Sequence, residues 1–86
     1  MLRIEKTETA GIATLRLEGK LMAPWLPEFE ALFAGGTPIQ HMRLNLEEVD
    51  YIDAAGIELL STLRRQGLLI AASSPFVARL LDQSTS

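Results

Sequence analysis

The feature that restricts this chain most is the way its apolar residues change period along the sequence. Leu2 and Ile4 alternate with Arg3 and Glu5 over Leu2 to Lys6, the period of two that a half-buried strand requires. Thr7 to Gly11 is polar, ends in glycine and reads as a hairpin loop; Ile12 to Glu18 then resumes the alternation with Leu15 and Leu17 facing inward. The two strands are expected to pair antiparallel. Pro24 and Pro27 fit only the first turn of a helix. Trp25, Phe29, Leu32 and Phe33 recur at helical spacing up to Gly35-Gly36, so a first helix is predicted over 24–34. Met42, Leu44 and Leu46 return to a period of two and mark a third strand, with a loop expected from Glu47 to Asp53.

From Ala54 the period is helical again. Ile57, Leu59, Leu60 and Leu63 form the apolar face, and Glu58, Ser61, Thr62 and Arg65 the polar one. Asp53 is placed as the N-cap of this second helix and Gly67 as its stop. Leu68 to Ala72 is continuously apolar, as for a strand covered on both faces. Ser74-Pro75 then opens a third helix through Phe76, Val77, Leu80 and Leu81. The order β-β-α-β-α-β-α predicts a small α/β sandwich, a mixed four-stranded sheet with three helices. Strands two to four should be parallel, because right-handed helical crossovers join them. With 86 residues the chain holds one domain, expected over 1–82, followed by a frayed polar tail at 83–86.

Charge and composition then remove whole classes of function. Lys and Arg number 8 against 11 Asp and Glu, so no positive field exists to hold a phosphate backbone, and nucleic acid is not expected as a partner. The absence of cysteine excludes thiolate metal sites and cysteine nucleophiles, and the one histidine, His41, reads as a surface residue. No apolar stretch reaches the roughly 18–20 residues of a membrane span, and the first residues lack the apolar region of a signal peptide. A cytoplasmic protein with no direct membrane insertion is expected. Gly35-Gly36-Thr37-Pro38 is a helix stop, since no lysine follows it as in a phosphate loop. Glu47, Glu48 and Asp50 read as a solvated loop, with no histidine or lysine evidently beside them for acid–base work. Trp25, Phe29 and Phe33 read as core at helical spacing, Trp25 being the member expected to stay partly exposed. No catalytic residue, metal site or cofactor is expected.

The candidate site is the junction Tyr51-Ile52-Asp53-Ala54-Ala55-Gly56. It lies at the carboxyl end of a strand, where open α/β sheets bind ligands, and at a helix N-terminus with unpaired N–H groups. An anionic or polar visitor suits such a place. The alternative is purely structural: Asp53 caps the helix while Ala54, Ala55 and Gly56 let it pack closely.

The run from Leu44 through Asp53-Ala54-Ala55-Gly56 to Leu60 resembles the STAS domain, named from sulfate transporters and anti-sigma factor antagonists. Gly67-Leu68-Leu69-Ile70 and the stretch from Ser73-Ser74-Pro75-Phe76 to Leu81 extend the likeness. Leu17-Glu18-Gly19-Lys20-Leu21 is similar to the end of that family's second strand. In the bacterial antagonists the junction reads Asp-Ser-Ser-Gly or Asp-Ser-Thr-Gly, and a partner that is both anti-sigma factor and kinase phosphorylates the hydroxyl before the glycine. Asp53 and Gly56 match this pattern; Ala54 and Ala55 replace the hydroxyl residues, and Ala55 stands at the phosphosite. Alanine has no oxygen to accept a phosphoryl group.

The resemblance implies a non-enzymatic protein-interaction regulator of the anti-sigma factor antagonist type, without phosphorylation at the usual position. Its partner-binding residues would be Asp50, Tyr51, Asp53, Ala54, Ala55, Gly56 and Glu58, and its partner a kinase-like anti-sigma factor. One alternative is an accessory STAS subunit docked on the ATPase of an ABC-type lipid transporter. Another is a weak nucleotide-binding module, against which the acidic rim and the missing Gly-rich loop weigh. The oligomeric state stays open at this level.

Overall fold

Ala10 and Gly11 both take left-handed backbone conformations, with φ of 53° and 82°, and that turn sets the register of the first hairpin. In the computed structural model, which describes the backbone of residues 2–84 and the side chains of residues 2–82, β1 (Leu2–Thr9) pairs antiparallel with β2 (Ile12–Leu21). The hairpin loop is therefore two residues long, and both strands run further than their alternation suggested. β2 continues parallel to β3 (Met42–Ile52), and β3 parallel to β4 (Leu69–Ser73), giving the strand order β1-β2-β3-β4. The expected mixed four-stranded sheet with three helices is present.

The first helix differs from the expected 24–34. It is a 3-10 turn at Ala23–Trp25, a six-residue helix α1 (Leu26–Ala31) and a second 3-10 turn at Leu32–Ala34. Pro27 explains the break. It has no N–H to donate to the carbonyl of Ala23, so the turn through Trp25 cannot continue as an α-helix and a new one starts at Leu26. α2 (Ala54–Arg65) and α3 (Pro75–Ser84) begin where expected, each from a side-chain cap: Ser74 Oγ accepts from the amide of Val77 at 3.3 Å. The backbone of Gln83 and Ser84 belongs to α3; the last two positions of the expected tail, 85 and 86, lie outside the described residues.

One face of the sheet carries the core. Ala13, Leu15 and Leu17 of β2 and Met42, Leu44 and Leu46 of β3 are buried there. Phe29 of α1, Leu60 and Leu63 of α2, and Val77 and Leu81 of α3 cover them, and Phe29 meets Phe33 edge-on at 5.1 Å. The opposite face is open. The pairing aligns Arg3, Glu5, Arg16, Glu18, Arg43 and Glu48 on it, with ion pairs Arg16–Glu18 at 3.8 Å and Arg16–Glu48 at 3.9 Å. Such exposed pairs contribute about 0–1 kcal/mol each and serve mainly solubility. Leu69 belongs to this open face and is 52% exposed. The expectation that β4 is covered on both faces is therefore corrected: β4 is an edge strand in which Ile70, Ala72 and Ser73 are half-buried and Leu69 and Ala71 are exposed.

β3 brings the largest correction. It extends to Ile52, so Glu47, Glu48 and Asp50 lie on a strand where a loop was expected. The alternation had failed for a physical reason. Arg16 pairs Asn45 while Glu18 pairs Glu48, and Gly19 pairs Val49 while Lys20 pairs Tyr51, so β3 holds one extra residue at each of two bulges. Each bulge puts two exposed residues in succession, Glu47-Glu48 and Asp50-Tyr51. The amide of Glu47 at the first bulge donates to Asn45 Oδ1 at 3.0 Å, which satisfies a backbone group near the irregular pairing.

Candidate functional site

Asp53 ties three segments together at the carboxyl ends of β2 and β3. Its Oδ1 accepts from the amide of Gly56 at 2.8 Å, the N-cap bond of α2. Its Oδ2 accepts from the amide of Ala23, just beyond β2, at 2.9 Å. Its own amide donates to the carbonyl of Leu21 at 3.2 Å. The side chain is thus a cap for one element and a latch to another, and the acid stands at the positive end of the α2 dipole.

Gly56 is buried for a reason local to this junction. A Cβ placed on it would lie 2.6 Å from the carbonyl oxygen of Leu21 and 2.8 Å from Ile52 Cγ2. Only a residue without a side chain lets the first turn of α2 approach the end of β2 so closely. Ala54 and Ala55, in the same turn, are exposed.

The other expected site residues divide into two groups. Asp50 and Tyr51 are exposed at the end of β3, where Lys20 of β2 joins them: its Nζ is 3.5 Å from Asp50 Oδ1 and 6.0 Å from the centre of the Tyr51 ring. That distance is the outer limit of a cation–π contact. Glu58 stands one turn into α2, on the outward stripe of Ala54, Ile57, Ser61 and Arg65 that lines a shallow groove of about 360 Å³. The structure therefore places Asp53 and Gly56 in the framework, and Asp50, Tyr51, Ala54, Ala55 and Glu58 on the accessible surface around it.

Three contributors were not among the expected site residues. Lys20, the amide of Ala23 and the exposed Phe76 all come from other elements. Phe76, 50% exposed at the start of α3, borders a groove of about 440 Å³ with Glu47, Glu48 and Asp50, where β3 continues beyond its pairing with β4. Lys20 lay within the stretch similar to the end of the family's second strand; the Asp53–Ala23 bond spans 30 residues and has no local signal.

Charge at the junction weighs against the anionic visitor that the position of the helix start suggests. The amide of Gly56 is already occupied and its acceptor is a carboxylate, which leaves an anionic ligand facing a negative charge. Among the described residues no group of three or more His, Cys, Asp or Glu side chains is arranged to hold a metal ion. No described helix is long and apolar enough to cross a membrane.

A family model described as the STAS domain matches residues 3–85. Among solved structures, the chain is similar to an anti-sigma factor antagonist from Mycobacterium paratuberculosis, with a TM-score of 0.79 and 16% sequence identity. The match covers 98% of this chain and 78% of that one. Comparison with curated protein sequences finds no match.

Proposed function

Because the chain belongs to the STAS domain family, we propose that it acts as a non-enzymatic regulator that binds a protein partner through the β3–α2 junction, in the manner of an anti-sigma factor antagonist but without covalent control there. The observation that carries this reading is the exposed, uncharged step formed by Ala54 and Ala55 on a backbone held by Asp53 and Gly56. Small side chains on a preorganised helix start let a partner approach the backbone with little ordering cost. Tyr51 and Lys20 on one side and Glu58 on the other supply an aromatic surface and charges of both signs at the rim. In the family's phosphorylated members a charge of about −1.5 to −2 would arrive at the helix start and change such an interface. Ala55 cannot carry it, so binding here is constitutive with respect to that switch.

The test is a comparison of three immobilised forms. Proteins from the source lysate are captured on the wild-type chain, on Ala55→Arg, and on Thr7→Arg, an exposed control on β1. The expected result is a partner retained by the wild type and Thr7→Arg and lost from Ala55→Arg, all three having the same circular dichroism. A kinase-like anti-sigma factor as that partner supports the antagonist reading, and a transporter ATPase moves the chain to the accessory-subunit class. Equal capture by all three forms would displace the interface from the junction.

A further inference from the structure

The outward stripe of α2 carries two charges that the fold leaves without an opposite partner. Glu58 and Arg65 are both exposed, and among the described residues neither takes part in an ion pair. Arg65 makes one hydrogen bond, from its guanidinium to Thr62 Oγ1 at 3.3 Å. The two charges are seven residues apart on one helix, about 10 Å along its axis, so they cannot meet within the chain. Between them lie the short side chains of Ser61 and Thr62, and beside them the half-buried Ile57.

We propose that this stripe is self-complementary and takes a second copy of the chain, α2 against α2 in antiparallel orientation about a twofold axis passing between Ser61 and Thr62. Residues 58 and 65 are equidistant from that axis, so Glu58 of one copy faces Arg65 of the other, and the pair occurs twice. Parallel packing would oppose Glu58 to Glu58 and Arg65 to Arg65, which the like charges disfavour. The small residues at the axis let the helices approach closely, and the two helix dipoles run opposed.

Size decides the strength of this contact. A stable interface covers about 800 Å² on each partner, whereas α2, with 12 residues, is only about 18 Å long. The dimer is therefore transient and dependent on concentration. It would cover Ala54 and Glu58, so the free form and the partner-competent form would be the same species. That consequence rests on the reading of the junction given above; the self-association does not.

Sedimentation equilibrium of the purified chain, from about 10 µM to about 1 mM, tests it without any partner. The wild type is expected to dimerise at high concentration and to dissociate as salt rises, because exposed pairs are screened. Glu58→Arg alone and Arg65→Glu alone should each weaken dimerisation about tenfold, since two attractive pairs become two repulsive ones. The double variant, Glu58→Arg with Arg65→Glu, should restore it, and so should an equimolar mixture of the two single variants, whose charges again match. A wild type that is monomeric throughout, single variants that dimerise as the wild type does, or a double variant that stays monomeric would each overturn the proposal. Failure of the partner capture described earlier would leave these measurements unaffected, so the two readings fall separately.

Discussion

Replacing Asp53 separates its two structural duties, because its two oxygens serve different segments. Asp53→Ala removes the N-cap acceptor from Gly56, a loss of about 0.5–2 kcal/mol in comparable helices. It also leaves the amide of Ala23 without its 2.9 Å acceptor, and a hydrogen bond of this kind contributes about 0.5–1.5 kcal/mol. Together these set an expected destabilisation of about 1–3.5 kcal/mol. Asp53→Asn acts differently. Asparagine caps helices about as well as aspartate, so its oxygen can keep the bond from Gly56, but its amide group would then point a donor at the donor of Ala23. The expected loss is smaller, about 0.5–1.5 kcal/mol, from the latch alone. Urea unfolding followed by circular dichroism reads both, and for a small domain with a slope of about 1 kcal/mol/M the midpoints should separate clearly. An Asn variant as stable as the wild type would refute the latch. An Ala variant within about 0.5 kcal/mol of the wild type would refute the cap as well.

Gly56→Ala should destabilise the protein by about 1–3 kcal/mol, against the gain of up to about 1 kcal/mol usual for this change inside a helix, because its Cβ has no room beside the carbonyl of Leu21. A thermal midpoint equal to or above the wild type would show that the close approach relaxes freely. Ala10→Asn should raise stability by about 0.5–1 kcal/mol, since asparagine tolerates the left-handed conformation that alanine holds at a cost of about 1–2 kcal/mol. An unchanged midpoint would mean that the turn shifts to another type. Incubation with ATP and a captured kinase-like partner should leave the intact mass unchanged; one added phosphoryl group mapped to Ser61 or Thr62 would reveal a switch displaced along α2.

What could be read in the sequence depended on how local its cause was. Asp53 was legible as a cap because its bond to Gly56 closes over three residues, and α2 followed from the spacing of Ile57, Leu60 and Leu63. The order of elements and the pairing of β1 with β2 came from periodicity in the same way. The second half of β3 was lost because its two bulges, each set by the register against β2, interrupt the alternation that identifies a strand. The coverage of β4 was misread because Leu68, buried before the strand, and Leu69, exposed within it, look alike in an apolar run. Coverage is a property of neighbours, and nothing in Leu68 to Ala72 encodes which neighbours are missing. The latch from Asp53 to Ala23 was invisible for the same reason.

The two bulges of β3 also make the junction a matter of counting. Each extra residue turns the strand over, so inward positions are even-numbered through Leu46, odd at Val49 and even again at Ile52. Two inversions cancel, and the chain arrives at Asp53 in the phase with which β3 began. Removing the extra residue of one bulge would leave every later residue opposite its present partner on β2, Ile52 beside Leu21 included, and would keep the carboxylate of Asp53 within reach of both of its amides. Removing a residue where the pairing is regular, from Met42 to Asn45, would instead put the inward residues on one side of the gap out of phase with β2. A single deletion should therefore be tolerated at a bulge and not in the regular part of β3, which makes the place of a length change along the strand as informative as the identity of any residue within it.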